Sequence, residues 1–260
     1  MREVAIVTGA SGGIGYEIAL LFASNNIDLV LVAKNKNKLE FAKNTILKTY
    51  NVNVFCVNTD LSLRDGFVDI KNYIEKNGLT VTYLVNNAGF GDYGNFSDRD
   101  IEKYSEMINV NVSSLTKLTH YFAKKMIKNG NGRILNVAST AGIQPDPYFA
   151  VYGATKAYVI SLTEAIHKEF ENTGVIATVL SPGATNTEFK ERADMQMAKL
   201  YESGVMSAKD VAAAGFEGMM KGKLHVIPGF KNKFLAFFSS ITPSSKLRLS
   251  IAAKIMASKK

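Results

Sequence analysis

Tyr152 and Lys156, in the run Tyr152-Gly153-Ala154-Thr155-Lys156, stand four residues apart, one turn of a helix. Thirteen residues upstream of the tyrosine, Ser139 ends an apolar run that reads as a strand. Together these side chains offer a proton donor, a cation to tune it and a hydroxyl to hold a carbonyl oxygen. A free phenol, with a pKa of ~10, is a poor proton shuttle near neutrality, and a neighbouring ammonium stabilises its phenolate. The spacing alone decides little, because Tyr121 and Lys125 repeat it. A second, independent motif raises the first pair: Thr8-Gly9-Ala10-Ser11-Gly12-Gly13-Ile14-Gly15. One motif suits a dinucleotide and the other suits carbonyl chemistry.

The glycines must sit where a strand turns into a helix. Val4-Ala5-Ile6-Val7 reads as a strand buried on both faces, and residues 18–22 continue an apolar helical face. In that context Gly9 permits the turn, Gly13 lets backbone approach a pyrophosphate and Gly15 lets helix pack on strand. The helix N-terminus adds free N–H groups and a partial positive charge.

Further along, apolar runs alternate with amphipathic ones. Strands are expected near residues 4–8, 28–33, 52–58, 83–86, 133–138, 175–180 and 224–227. Helices are expected over 36–49, 64–76, 148–172 and 208–220. That alternation predicts an α/β fold with a parallel sheet covered on both faces, and ligands at the carboxyl ends of its strands. Polar residues and glycines collect at those ends: Thr59-Asp60-Leu61, Asn86-Asn87-Ala88-Gly89, Ala138-Ser139, and Ser181-Pro182-Gly183-Ala184-Thr185-Asn186-Thr187.

Bulk composition bounds the rest. The chain has 260 residues, 47% of them apolar, enough for one large domain. Its single cysteine, Cys56, cannot form an internal disulfide, reads as small core filler and fits a reducing cytoplasm. Met1-Arg2-Glu3 leads straight into the first strand, so no signal peptide is expected, and no apolar run reaches the ~18 residues of a membrane span. Net charge is +8, of which residues 230–260 carry +7: seven basic side chains and no acidic one. Such a local bias, without a nucleic-acid motif, argues against nucleic acid as a partner. His120, His167 and His225 lie far apart without carboxylate or thiol partners at ligand spacing, which predicts no metal site. Ser139 lacks nucleophile-elbow glycines, which argues against a serine hydrolase.

Taken together, Gly9/Gly13/Gly15, Asp60-Leu61, Asn86-Asn87-Ala88-Gly89, Asn111, Ser139, Tyr152/Lys156 and Pro182-Gly183 resemble the short-chain dehydrogenase/reductase family in order and spacing, over residues 3–229. The resemblance implies a Rossmann-type, doubly wound sheet of seven parallel strands. It implies reversible hydride transfer between a nicotinamide and a carbonyl or alcohol. It places Ser139, Tyr152, Lys156 and Asn111 in the chemistry, with Asn111 anchoring water in a proton relay and Lys156 also holding the nicotinamide ribose. Cofactor contacts are implied for Gly9, Ser11, Gly13, Ile14, Gly15, Asp60, Leu61, Asn87, Ala88, Gly89, Pro182, Gly183, Thr185 and Thr187. A looser likeness is to NADP-preferring, carbonyl-reductase-like bacterial members. A non-catalytic dinucleotide sensor on the same fold is the alternative, although such proteins typically lose the tyrosine or the lysine.

Strand 28–33 ends in Ala33, where an NAD enzyme commonly has a carboxylate, and Lys34 follows. A lysine there offers a point charge to a 2′-phosphate, with Asn35 and Ser11 adding hydrogen bonds. NADP(H) is therefore the expected cofactor; a merely solvated lysine is the other reading.

The substrate pocket is expected from Phe90, Gly91, Ala141, Ile143, Gln144, Pro145, Tyr148 and Phe149. A lid is expected over 189–206, with Met195, Met197, Leu200 and Met206 inward, suited to an apolar substrate or simply to packing. The catalytic domain is drawn at residues 1–229 and a basic extension at 230–260, two helices split by Pro243. Those helices pack on the domain or at a homodimer or homotetramer interface, or form a flap over the site, or attach peripherally to anionic lipid at the inner face of a membrane.

Overall fold

Alternation inside the strands sends successive side chains to opposite faces, and here both faces are buried. The computed structural model describes residues 2–195, 204–242 and 244–256. The strands are β1 (Arg2–Thr8), β2 (Asp28–Ala33), β3 (Val54–Asn58), β4 (Leu79–Asn86), β5 (Gly132–Val137), β6 (Val175–Leu180), β7 (Thr185–Asn186), β8 (Met206–Ser207) and β9 (His225–Val226). Between them run α1 (Gly13–Ser24), α2 (Lys36–Thr49), α3 (Gly66–Lys76), α4 (Ile101–Ile108), α5 (Leu115–Asn129), α6 (Ala150–Glu169), α7 (Phe189–Arg192) and α8 (Ala208–Met220), with α9 (Phe230–Ile241) and α10 (Ser245–Met256) at the end.

Seven strands form one sheet in the order β3-β2-β1-β4-β5-β6-β9, every pair parallel. This is the doubly wound Rossmann-type sheet. Ala5 and Val7 of β1 join a core with Phe22 of α1, Ile46 of α2 and Met219 of α8. Val4 and Ile6 join the opposite core, with Ile70 of α3 and Phe122 of α5. Each of these side chains larger than Ala5 contributes about 1.5–3 kcal/mol on burial. The chain winds outward from β1 to β3, then returns to β4 on the other side of β1, opening a crevice beyond the carboxyl ends of those two strands.

Several boundaries differ from the sequence reading. β3 begins at Val54 rather than 52, and β4 begins at Leu79 rather than 83. α6 is shorter at both ends than 148–172, because Tyr148 and Asn172 each hold φ +65°, which an α-helix cannot include. α3 starts at Gly66, after the turn that packs it within touching distance of Asp60. α4 and α5, which the pattern did not single out, are joined by a π-helical turn at Asn109–Ser114. The two C-terminal helices form as expected. Pro243, Met197 and Leu200 lie outside the described residues. No described helix is long and apolar enough to cross a membrane.

Candidate active site

The crevice is a cleft of about 980 Å³ that runs from the glycine turn to the C-terminal helices. At one end α1 begins at Gly13, with no acidic side chain in its first turn. Its unpaired N–H groups and positive dipole end face the cleft. Gly13 holds φ +56°, and a Cβ there would come within 3.0 Å of the Thr187 methyl. The open approach lies instead at Gly12, where a Cβ would meet nothing within 4 Å. A Cβ on Gly15 would lie 2.5 Å from the Gly9 carbonyl oxygen and 2.4 Å from Asn87 Nδ2. Gly15 therefore stands behind the wall and lets α1 press on the turn itself. The Asn87 amide donates to the Thr8 carbonyl at 3.0 Å, and the Asn87 and Ala88 N–H groups both donate to the Thr8 hydroxyl at 3.0 Å. Thr8 thus ties the end of β1 to the loop after β4. A cradle of this shape, with donors and no carboxylate, fits a pyrophosphate.

Beside the turn, Ala33 borders the cleft and Lys34 follows, its side chain 71% exposed and 3.7 Å from Asp60 Oδ2. Burial opposes ionisation of Asp60, but the Ser62 N–H and hydroxyl, at 2.9 and 2.8 Å, and Lys34 together hold its carboxyl below the usual value. Asn35 caps α2, its side-chain oxygen accepting from the Lys38 N–H at 3.0 Å. Only its Nδ2 remains to donate to a ligand. Ser11, Ile14, Leu61, Pro182, Gly183, Thr185 and Thr187 also border the cleft.

At the far end, Ser139, Tyr152 and Lys156 share the same cleft. Ser139 follows β5 and caps a short 3-10 turn, its oxygen accepting from the Ala141 N–H at 3.1 Å. Its own proton faces the Pro182 carbonyl at a loose 3.4 Å. Tyr152 and Lys156 lie on the buried side of α6. Lys156 Nζ is 5.7 Å from the Tyr152 ring centroid, and burial pushes its pKa down to about 8. Asn111 is fully buried in the π-turn and does not border the cleft. Its Nδ2 donates to the Phe90 carbonyl and to Thr155 Oγ1, both at 3.0 Å, and its oxygen accepts from the Phe90 N–H at 3.2 Å. A π-turn inserts a residue into the helical ladder and re-aims a side chain, here onto the loop after Gly89.

The walls around Tyr152 are apolar. The Phe149 ring stacks on Tyr152 at 4.3 Å between centroids, and Phe189 lies 5.4 Å away. Phe90, Ala141, Ile143, Gln144 and Met195 line the cleft, whereas Gly91, Pro145 and Tyr148 do not. Tyr148, at φ +65°, is 40% exposed, its ring 6.2 Å from that of Tyr93. Met206 packs instead on the core beside α8. Other cleft residues lie outside the expected pocket, Asp146 among them. Asp146 is buried, and burial raises its carboxyl to about 6, although Gln144 donates to it at 3.4 Å. Ala252 and Met256 of α10 reach the cleft from the far end of the chain. The Tyr93 hydroxyl donates to the Met256 carbonyl and ties α10 down.

Other chemistry-bearing groups lead elsewhere. Tyr121 donates to Glu75, and burial together with that carboxylate raises its pKa; Lys125 sits 4.7 Å over its ring. This surface pair is neutralised, unlike Tyr152/Lys156. The histidines are expected to lack carboxylate partners at ligand spacing along the chain; the fold nevertheless brings the His225 ring nitrogens to 3.0 Å from Glu164 and 2.8 Å from Ser181. Glu164 comes from α6, 61 positions away, so spacing could not reveal it. Ser181 is wholly buried and closed to substrate. Burial pushes the Cys56 thiol up to about 11, unsuited to nucleophilic work. Among the described residues no group of three or more His, Cys, Asp or Glu could hold a metal ion.

The profile of a family described as short chain dehydrogenase matches residues 3–198. An uncharacterised oxidoreductase of Staphylococcus epidermidis is 32% identical over 202 residues, 78% of this chain and 86% of the relative. A short-chain dehydrogenase from Sphingobium yanoikuyae in complex with NADPH superposes with a TM-score of 0.82 at 28% identity, covering 94% of this chain and 98% of that one. A short-chain dehydrogenase/reductase from Burkholderia phymatum in complex with NAD also gives 0.82, at 26% identity, covering 91% and 92%.

Proposed function

The chain belongs to the short-chain dehydrogenase family, an oxidoreductase family acting on carbonyls and alcohols with a nicotinamide dinucleotide; we propose that it is an NADP(H)-dependent reductase of apolar carbonyl compounds, working also in reverse. The observation that carries this reading is a single one. One cleft is lined both by the glycine turn and by Ser139, Tyr152 and Lys156.

When bound, the dinucleotide supplies or accepts the hydride. The glycine turn, Asp60, the Asn87-Ala88-Gly89 loop and the Pro182–Thr187 loop hold it, with Lys34 toward a 2′-phosphate. A Cβ on Gly89 would come 3.3 Å from Lys156 Nζ, so that loop must stay bare beside the ammonium. Ser139 turns its loosely held proton to the carbonyl oxygen, and the Ala141 N–H fixes the hydroxyl's position. Tyr152 passes its phenolic proton to the same oxygen, and the Lys156 ammonium stabilises the phenolate left behind. Asn111 belongs to the proton relay behind Lys156. Both of its amide protons are engaged, so a relay water would bind at the remaining lone pair of its oxygen or at backbone. Phe90, Phe149, Phe189, Met195 and Met256 favour an apolar carbonyl compound. Residues 230–260 are an extension that walls the cleft of a catalytic domain over 1–229, and the protein works in the cytoplasm as a homodimer or homotetramer.

A panel of ketones, aldehydes and alcohols with all four nicotinamide forms, followed at the nicotinamide absorbance, tests the reading. NADPH oxidation by apolar ketones is expected. Tight NADPH binding with no turnover of any carbonyl would favour the non-catalytic dinucleotide sensor.

A further inference from the structure

Helix α9 carries two stripes on opposite sides. At about 100° per residue, Asn232, Ala236 and Ser239 share one side, and Phe230, Phe234, Phe237 and Ile241 share the other. The first side is seated. Asn232 donates to the Pro228 carbonyl at 2.8 Å, the Ser239 hydroxyl donates to Gln144 at 2.6 Å, and all three residues wall the cleft. The opposite side faces water, with Phe230 85%, Phe234 51%, Phe237 59% and Ile241 54% exposed. A helix packed along one stripe ordinarily turns polar side chains outward. This one turns three phenylalanines and an isoleucine outward instead. Lys231 and Lys233 fall on its two flanks, one on each side of that stripe.

Charge selects the occupant. Residues 230–260 hold seven basic side chains and no acidic one, while the remaining 229 residues carry +1, since +8 less +7 leaves +1. A symmetric pairing of this face with itself would bring the Lys231 and Lys233 flanks of two copies together, each in a stretch with no acidic side chain to answer them. An anionic lipid surface supplies the opposite sign instead. Aromatic rings settle at the headgroup level, and flanking lysines lay their stems along the apolar surface with the ammonium in water. We propose that the outer face of α9 docks the protein on an anionic phospholipid surface. The helix lies in the plane of the interface, and its inner side remains the wall of the cleft.

Sedimentation with phosphatidylcholine vesicles, with and without phosphatidylglycerol, tests this on the full chain. The protein should pellet with the anionic vesicles at low salt, and be released at about 1 M salt, where the Debye length is ~3 Å. Phe230→Ser/Phe234→Ser/Ile241→Ser and, separately, Lys231→Glu/Lys233→Glu should each weaken that binding at least roughly tenfold. Both variants should keep the wild-type melting temperature and NADPH affinity, which separates lost docking from lost folding. Failure of the wild type to bind anionic vesicles at low salt overturns the proposal. So does equal binding to both vesicle types, or wild-type binding by the apolar variant. An oligomer that falls to monomers in the apolar variant, with no vesicle binding by the wild type, would assign the face to a second copy and overturn it as well.

Discussion

Lys156 Nζ donates to the carbonyl oxygen of Val137, the last residue of β5, at 2.8 Å. The bond holds the ammonium of a fully buried side chain at the carboxyl edge of the sheet, beside the ring it is proposed to tune. Helix α6 alone could not set that position, because the acceptor belongs to a strand that precedes it by 19 positions. Positioning of this kind gives the first predictions.

Replacing Tyr152 by Phe removes the proton donor and keeps the ring stack on Phe149. Turnover should fall ~100- to 10,000-fold, with NADPH affinity nearly unchanged. A variant that kept a tenth of the wild-type kcat would take Tyr152 out of the chemistry.

Buried Lys156, at about 8, binds its proton less readily in the folded protein than in the unfolded chain. The unfolded state therefore holds more protons between about pH 8 and ~10.4, and stability of the cofactor-free protein should rise with pH across that window. The full rise is on the order of 3 kcal/mol at ~1.4 kcal/mol per pKa unit. Below about pH 8 both states are charged and the burial cost is undiminished. Thermal melts should show the rise in the wild type and not in Lys156→Met. Identical pH slopes for the two proteins would mean that the ammonium is not desolvated. The same variant should lose both rate and cofactor affinity, as befits its two proposed roles.

Asp146 has the opposite sign. Its raised value, about 6, means that the folded state holds the proton more tightly than the unfolded chain. That contribution is complete below the unfolded pKa of ~3.9 and is lost as pH rises through about 6. Asp146→Asn should therefore stabilise the protein by up to roughly 2–3 kcal/mol near neutrality and have little effect near pH 4. Chemical denaturation at the two pH values decides it, and a neutral-pH loss of stability would show that the carboxylate is solvated or paired.

Lys34 is exposed and already faces Asp60, so its pull on a 2′-phosphate is partly screened. Lys34→Ala should weaken NADPH binding by about tenfold, the low end for a charge-assisted contact, and leave NADH within experimental error. Ala33→Asp should shift preference toward NADH. Equal losses for both dinucleotides, measured by fluorescence titration, would show that Lys34 does not read the phosphate.

Much of this protein is local and was therefore legible in the sequence. The alternation in Val4-Ala5-Ile6-Val7 depends only on neighbours along the chain, and it sends those side chains into the two cores. The glycine turn before α1 is set by backbone freedom at Gly9 and Gly13, which is a property of those residues. Tyr152 and Lys156 share a helical face because any residues four apart do. Their spacing could not say which tyrosine–lysine pair enters a cleft. Tertiary structure decided that: Glu75 reaches Tyr121 and Lys125 from 46 and 50 positions away, whereas α6 buries Lys156 without any carboxylate.

The same division explains which contacts sequence reasoning could not place. Tyr148 does not border the cleft and is exposed, at a left-handed backbone position that the sequence does not announce. Asn111 reaches Phe90 only through a π-turn, and Glu164 meets His225 across the sheet edge. The raised carboxyl of Asp146 comes from burial. The basic C-terminal stretch reads as amphipathic by itself. Which stripe of α9 closes the cleft was decided by its seat on Pro228 and Gln144, contacts that only the folded chain brings into range.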